Sequence, residues 1–174
     1  MKTFSGLKEE FKMSVRNCAE IGENAQKIIH RLLNNQDLIK LLYYNDKDPL
    51  SNPDLTKEQI KNEVYNKLIK VIPRIGPTEY ANSMIAMIIS DGMPNENNEF
   101  EDIIIQFEIF VPMTQWIIKD TNLRPFKIMG ELQKSLVGKS INGLGKIHGG
   151  SFSFNYSTDE TSCYKQIFRI TTYD

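Results

Sequence analysis

Gly138-Lys139-Ser140 has the ending of a phosphate-binding P-loop, a turn whose backbone amides cradle phosphates between a strand and a helix. The motif needs a second glycine with four residues between it and Gly138, and that position is Gln133. Gln133 falls inside an expected helix, and a strand follows where the motif needs a helix. Gly138-Lys139-Ser140 therefore reads as a helix-ending turn. The glycine-rich run Gly143-Leu144-Gly145-Lys146-Ile147-His148-Gly149-Gly150 has no strand before it and no helix after it. It offers no helix N-terminus to a pyrophosphate, so it reads as a turn before an edge strand.

Other chemistry fails on the same kind of spacing test. His30 and His148 are the chain's two histidines, and the helical i+4 neighbour of His30 is Asn34. A structural zinc site takes about four Cys or His ligands, so neither histidine suggests metal. There is no Gly-x-Ser-x-Gly elbow and no His-Glu-x-x-His helix. The acids Asp91, Glu96, Glu99, Glu101 and Asp102 lie in or beside a hairpin loop, where a solvated rim is expected rather than a catalytic carboxylate pair. Phe152, Phe154 and Tyr156 alternate with Ser151, Ser153 and Asn155. A base-stacking platform would interleave basic residues, so same-face core aromatics are expected instead. No catalytic, cofactor-binding or metal residue is assigned.

Composition narrows the class further. A length of 174 residues suits one domain and can bury a core without staples. Hydrophobic residues at 40% and charged residues at 25% set disorder aside. The net charge of −1 lacks the basic excess of a dedicated nucleic-acid binder. Cys18 and Cys163 stand far apart, with neither a disulfide framework nor a CxxC pair. No apolar signal core follows Met1, and no run approaches the roughly 20 residues of a membrane span. Cytosolic synthesis and no membrane partner are the expectations.

Residues 1–20 form a weakly patterned arm or short helix, with Phe4, Leu7, Phe11 and Val15 its apolar positions and Met13 an alternative start. A single domain is expected over 21–174. Ile21, Ala25, Ile28, Ile29, Leu32 and Leu33 mark one helix face, Asn34-Asn35 a bend, and Asp37–Leu42 a second helix. A proline-bearing loop covers 45–56. Thr56 and Gln59 have capping-box spacing for a third helix with Ile60, Val64 and Leu68 on its buried stripe, stopped by Pro73, Gly76 and Pro77. Ser83–Ser90 reads as a central strand and 103–111 as the longest strand, with Trp116-Ile117-Ile118 a brief extension of the sheet. Arg124-Pro125 starts a helix striped by Ile128, Met129, Leu132 and Leu136 and ended by Gly138. Strands over 151–156 and 163–172 close the chain as a hairpin. The expected fold is α+β: a mainly antiparallel sheet of about four to five strands, helices on one face and an N-terminal helical region.

Three stretches carry a resemblance. They are Asp37–Tyr44 running into Asp48-Pro49-Leu50 and Asp54-Leu55-Thr56, the paired strands, and Leu123–Leu132. Together, over most of the chain from about residue 20, they resemble neck and tail-completion proteins of tailed bacteriophages, in particular the tail terminator group. That resemblance implies a virion subunit with no cofactor, a homo-oligomer forming a hexameric ring. The ring would cap the tail tube, meet a head-completion or connector protein, and let genomic DNA pass its lumen without specific binding. This chain is longer than compact members of the group, through its arm and the 45–56 loop. A head-closure or baseplate subunit is the nearest alternative, and a small cytosolic enzyme with a dispersed site is the other. A ring needs two different complementary surfaces per subunit. Loops at 45–56, 91–100 and 157–162 are the expected contacts, through Asp48, Pro49, Leu50, Asp91, Glu96, Glu99, Asp102, Asp159 and Glu160. The acidic hairpin Asp91–Asp102 is expected to face the lumen or the adjacent ring.

Overall fold

The structure is a computed structural model that describes residues 18–71, 81–94, 100–141 and 145–171. The expectations for Phe4, Leu7, Phe11, Met13, Val15, Pro73, Gly76, Pro77, Glu96 and Glu99 lie outside the described residues.

The architecture is α+β. Helix α1 (Cys18–Leu32) buries Ile21, Ala25, Ile28, Ile29 and Leu32, one face of a 3.6-residue period. The bend falls at the asparagines. Asn35 caps α2 (Gln36–Tyr43) by accepting from Leu38 N at 3.1 Å, which satisfies one orphan amide of the first turn. Its Nδ2 donates to Glu131 Oε2 and Ser135 Oγ on α4 (Arg124–Leu136), tying the two helices together. Gly138 follows α4 at φ 70, the left-handed position that ends a helix most cheaply with glycine.

The Thr56–Gln59 capping box is present, but the helix it opens is short. α3 (Lys57–Gln59) widens into a π turn over Ile60–Val64, where Tyr65 N reaches back to Ile60 O. Asn66 then turns left-handed at φ 57, a conformation asparagine tolerates, and the chain enters strand β1 (Ile69–Lys70). Val64 and Leu68 are buried as the stripe requires, although Leu68 lies beyond the helix.

Six strands follow the order β1-β2-β3-β6-β5-β4, with β2 (Met84–Pro94), β3 (Phe100–Pro112), β4 (Ser140–Ile141), β5 (Gly145–Ser157) and β6 (Thr161–Thr171). Only β1–β2 is parallel. Two hairpins, β2–β3 and β5–β6, lie side by side and α4 crosses between them. The strand over 83–90 is not central, because its outer neighbour β1 is two residues long. It is nonetheless covered on both faces at its start. Ile85 and Met87 join the main core under the helices, while Met84 and Ala86 pack with Phe110 and Cys163 on the other face. Ile117 does not extend this sheet; it bridges Leu123 in a separate loop.

Candidate assembly surface

Strand β5 carries side chains that the helix layer does not reach. Along two rows across the sheet, Phe107 of β3 faces Gln166 of β6 and then Phe152, and Ile109 faces Tyr164 and then Phe154. Phe107 and Ile109 are 0% exposed, whereas Phe152 is 55% and Phe154 57% exposed. The cover runs out between β6 and β5. Phe126, on the first turn of α4, closes the margin with ring centroids 5.6 Å from Phe152 and 5.4 Å from Tyr164. Phe154 and Trp116 meet Tyr164 at 5.5 and 6.0 Å, so the aromatics form one continuous group. Such rings carry large apolar area at low entropic cost, and exposed groups of them mark contact surfaces.

The expected burial of Phe152, Phe154 and Tyr156 is therefore corrected, and so is their shared face. A bulge between Phe154 and Tyr156 shifts the register by one residue. In a strand that sends the next side chain to the opposite face. Tyr156 thus lies 6.4 Å from Phe110, on the face away from the helices. A second bulge falls between Gly149 and Ser151, with both Gly149 and Gly150 at positive φ. Beyond Ile147, whose backbone exchanges hydrogen bonds with Gly138 and Lys139, no described strand pairs with the outer edge of β5. An unpaired edge beside exposed aromatics is a ready template for another chain.

Arg124 secures the loops that frame this surface. It is wholly buried, and its guanidinium donates to four backbone carbonyls: Gln115 at 2.9 Å, Leu41 and Tyr44 at 2.7 Å, and Asp46 at 2.6 Å. Leu41 and Tyr44 lie at the C-terminal end of α2, where carbonyls lack helical partners and a cation complements the dipole. Burial pulls the guanidinium below its ordinary value, the nearby Asp46 opposing the shift. The sequence pattern identified Arg124 only as a helix start. Nothing in local spacing signals that a surface-type residue is drawn inward by carbonyls about eighty positions away.

The expected contact residues divide between the two ends of the sheet. Asp159 and Glu160 are exposed at the tip of the β5–β6 hairpin, and Glu160 O accepts from Met113 N at 2.8 Å. Asp48 pairs with Lys119 at 2.7 Å across that same end, and this hydrogen bond holds its carboxyl below the ordinary range. Pro49 is buried and unavailable for contact, while Leu50 is exposed. Asp91 and Asp102 sit at the far end of β2 and β3, away from those loops. Asp91 accepts from Gly92 N. Asp102 is engaged by Arg169 in a two-pronged ion pair, which lowers the carboxyl and raises the guanidinium. It contributes to the sheet rather than offering a free charge.

Two depressions open elsewhere on the helix layer. One, of about 640 Å³, is lined by Arg31, Asn35, Asp37, Lys134 and Lys139 among others. The other, of about 420 Å³, lies where the end of α1 meets α3 and its π turn, with Leu33, Ile60 and Tyr65 as apolar walls. No group of three or more His, Cys, Asp or Glu among the described residues is placed to hold a metal ion. Cys163 is buried, and desolvation pushes its thiol up to about 11, far from a reactive thiolate. No helix among the described residues is long and apolar enough to cross a membrane.

The YomW family model matches residues 35–170, from the cap of α2 to the end of β6, and the chain belongs to the YomW family. The family is of a phage-derived type, and its model assigns no part of a particle. No curated protein matches the chain, and no solved structure does.

Proposed function

We propose that this YomW-family chain is a structural subunit of a phage particle, working by assembly rather than by catalysis. The single observation that carries the reading is the exposed aromatic group on β5 and α4 beside an open strand edge. A chain that folds alone has no use for Phe152 and Phe154 in water. A partner surface does, because buried aromatics dominate interface energies.

Within that reading, the finer proposal is a tail terminator. The subunit forms a ring that caps the tail tube and joins it to the head connector, with DNA passing the lumen. The YomW family's phage-derived type supports the setting, and the part rests on the sequence resemblance over the helix–loop and Leu123–Leu132 stretches alone. The near-neutral charge suits a conduit, since a strongly basic wall would retain DNA.

Native mass spectrometry of the full chain, alone and with isolated tail tubes, tests the proposal. A ring in solution, or one formed on tube ends and seen there by electron microscopy, is expected. Attachment to connector or baseplate particles instead would reassign the chain within the particle. Indifference to every particle component would remove the structural role.

A further inference from the structure

We infer that the acidic, aromatic β5–β6 hairpin of one copy docks into the depression between α1 and α3 of a second copy, head to tail. The inference rests on the assembly reading and names the two surfaces that meet.

The complementarity is both apolar and electrostatic. The depression has Leu33, Ile60 and Tyr65 for walls and His30, Lys57 and Lys61 around its opening, and no carboxylate lines it among the described residues. Lys57 and Lys61 are exposed and make no ion pair with a described residue. At the hairpin tip, Asp159 and Glu160 are likewise exposed and make no ion pair with a described residue, and the exposed Phe154 and Phe152 follow further down β5 of the same hairpin. The neighbouring 640 Å³ depression is a poorer match. Its Lys134 is already engaged by Glu131 and Asp37, and Asp37 itself lines the opening.

The two surfaces also occupy different parts of the subunit. Phe126 marks the start of α4 beside the hairpin, whereas Ser135 near its end accepts from Arg31 of α1. A helix of 13 residues is about 20 Å long, so the hairpin cannot reach the depression of its own chain. A contact between two unlike patches propagates from copy to copy, and closes into a ring if the rotation allows.

A charge-swap experiment on the full chain tests this. Asp159→Lys with Glu160→Lys forms one variant, and Lys57→Glu with Lys61→Glu the other. Sedimentation velocity should show self-association of the wild type, weakened about tenfold or more in each variant alone. Mixing the two variants should restore it, because each tip then meets a depression of opposite sign. Three results would overturn the inference: a wild type monomeric at every concentration, variants that associate like the wild type, or a mixture no better than its components. Tube capping that persists with unaltered charge dependence would leave the assembly reading standing without this contact. Restored pairing with no binding to any particle component would do the reverse.

Discussion

Phe107 and Phe152 stand in one row of the same sheet, separated only by Gln166, yet the first is sealed in the core and the second lies open. Phe107 is covered by the helix layer and meets Phe168 edge-on at 5.7 Å. Phe152 has the rings of Phe126 and Tyr164 beside it and remains 55% exposed. Alternation along a strand states which face a side chain takes, and the reach of the helices states whether that face is dry. Helix α4 covers Ile147 at the start of β5, but at Phe152 it offers only the Phe126 ring of its first turn, and Phe152 stays more than half exposed. The uncovered half is where a second chain has most to gain.

The comparison can be broken from its covered side first. Arg124→Met should destabilise the fold by about 3–5 kcal/mol, because four carbonyls, two of them in fully buried hydrogen bonds, lose their donor at once. Phe107→Ala should cost a similar amount, about 3–5 kcal/mol, through lost transfer energy and the cavity left behind. Denaturant unfolding of each variant measures both. Phe154→Ala should cost about 1 kcal/mol or less, the worth of its ring contact with Tyr164. A loss at Phe154 equal to that at Phe107 would mean the two halves are not different.

Changes milder than those in the core sharpen the boundary between the halves. Gly150→Ala should destabilise by about 1–3 kcal/mol. The glycine sits at φ 96, and an added Cβ would come within 2.8 Å of the Gln133 side chain, which donates to Gly150 O. Register at the bulge depends on that contact, so the variant should also broaden the amide resonances of 151–156 more than those of β2. Asp102 gives the smallest change. Its carboxyl is held below the ordinary 3.8 by Arg169, so the pair stabilises the fold above that value and is lost as pH falls through the lower folded value. Urea midpoints of Asp102→Asn should fall slightly below the wild type near neutral pH and converge with it in strong acid. Equal midpoints at both would deny the pair any role.

Much of the fold was legible because burial leaves a periodic trace. The stripe of α1, the asparagine bend, the capping box, the proline start and glycine end of α4, and the alternation of β3 all depend on neighbours within a few residues. The short third helix and β1 were not, since Tyr65 and Ile69 bridge locally while the strand is defined by pairing with Ile85 and Ala86. The candidate surface was legible as aromatics and illegible as exposed. Two bulges and the length of a distant helix decide the outcome for Phe152, Phe154 and Tyr156, and neither is written in their spacing. Arg124 shows the converse case. Its partners come from α2, the loop after it and Gln115, so only the assembled fold reveals why it is buried.

The most direct measurement pairs stability with assembly in one double variant, Phe152→Ser with Phe154→Ser. Thermal unfolding and native mass spectrometry would be run on the same preparation, with and without tail tubes. If these rings serve a partner, the variant should keep a cooperative transition within about 2 kcal/mol of the wild type, allowing for two ring contacts, and lose ring formation. Unfolding of the variant, or assembly as complete as that of the wild type, would contradict the account.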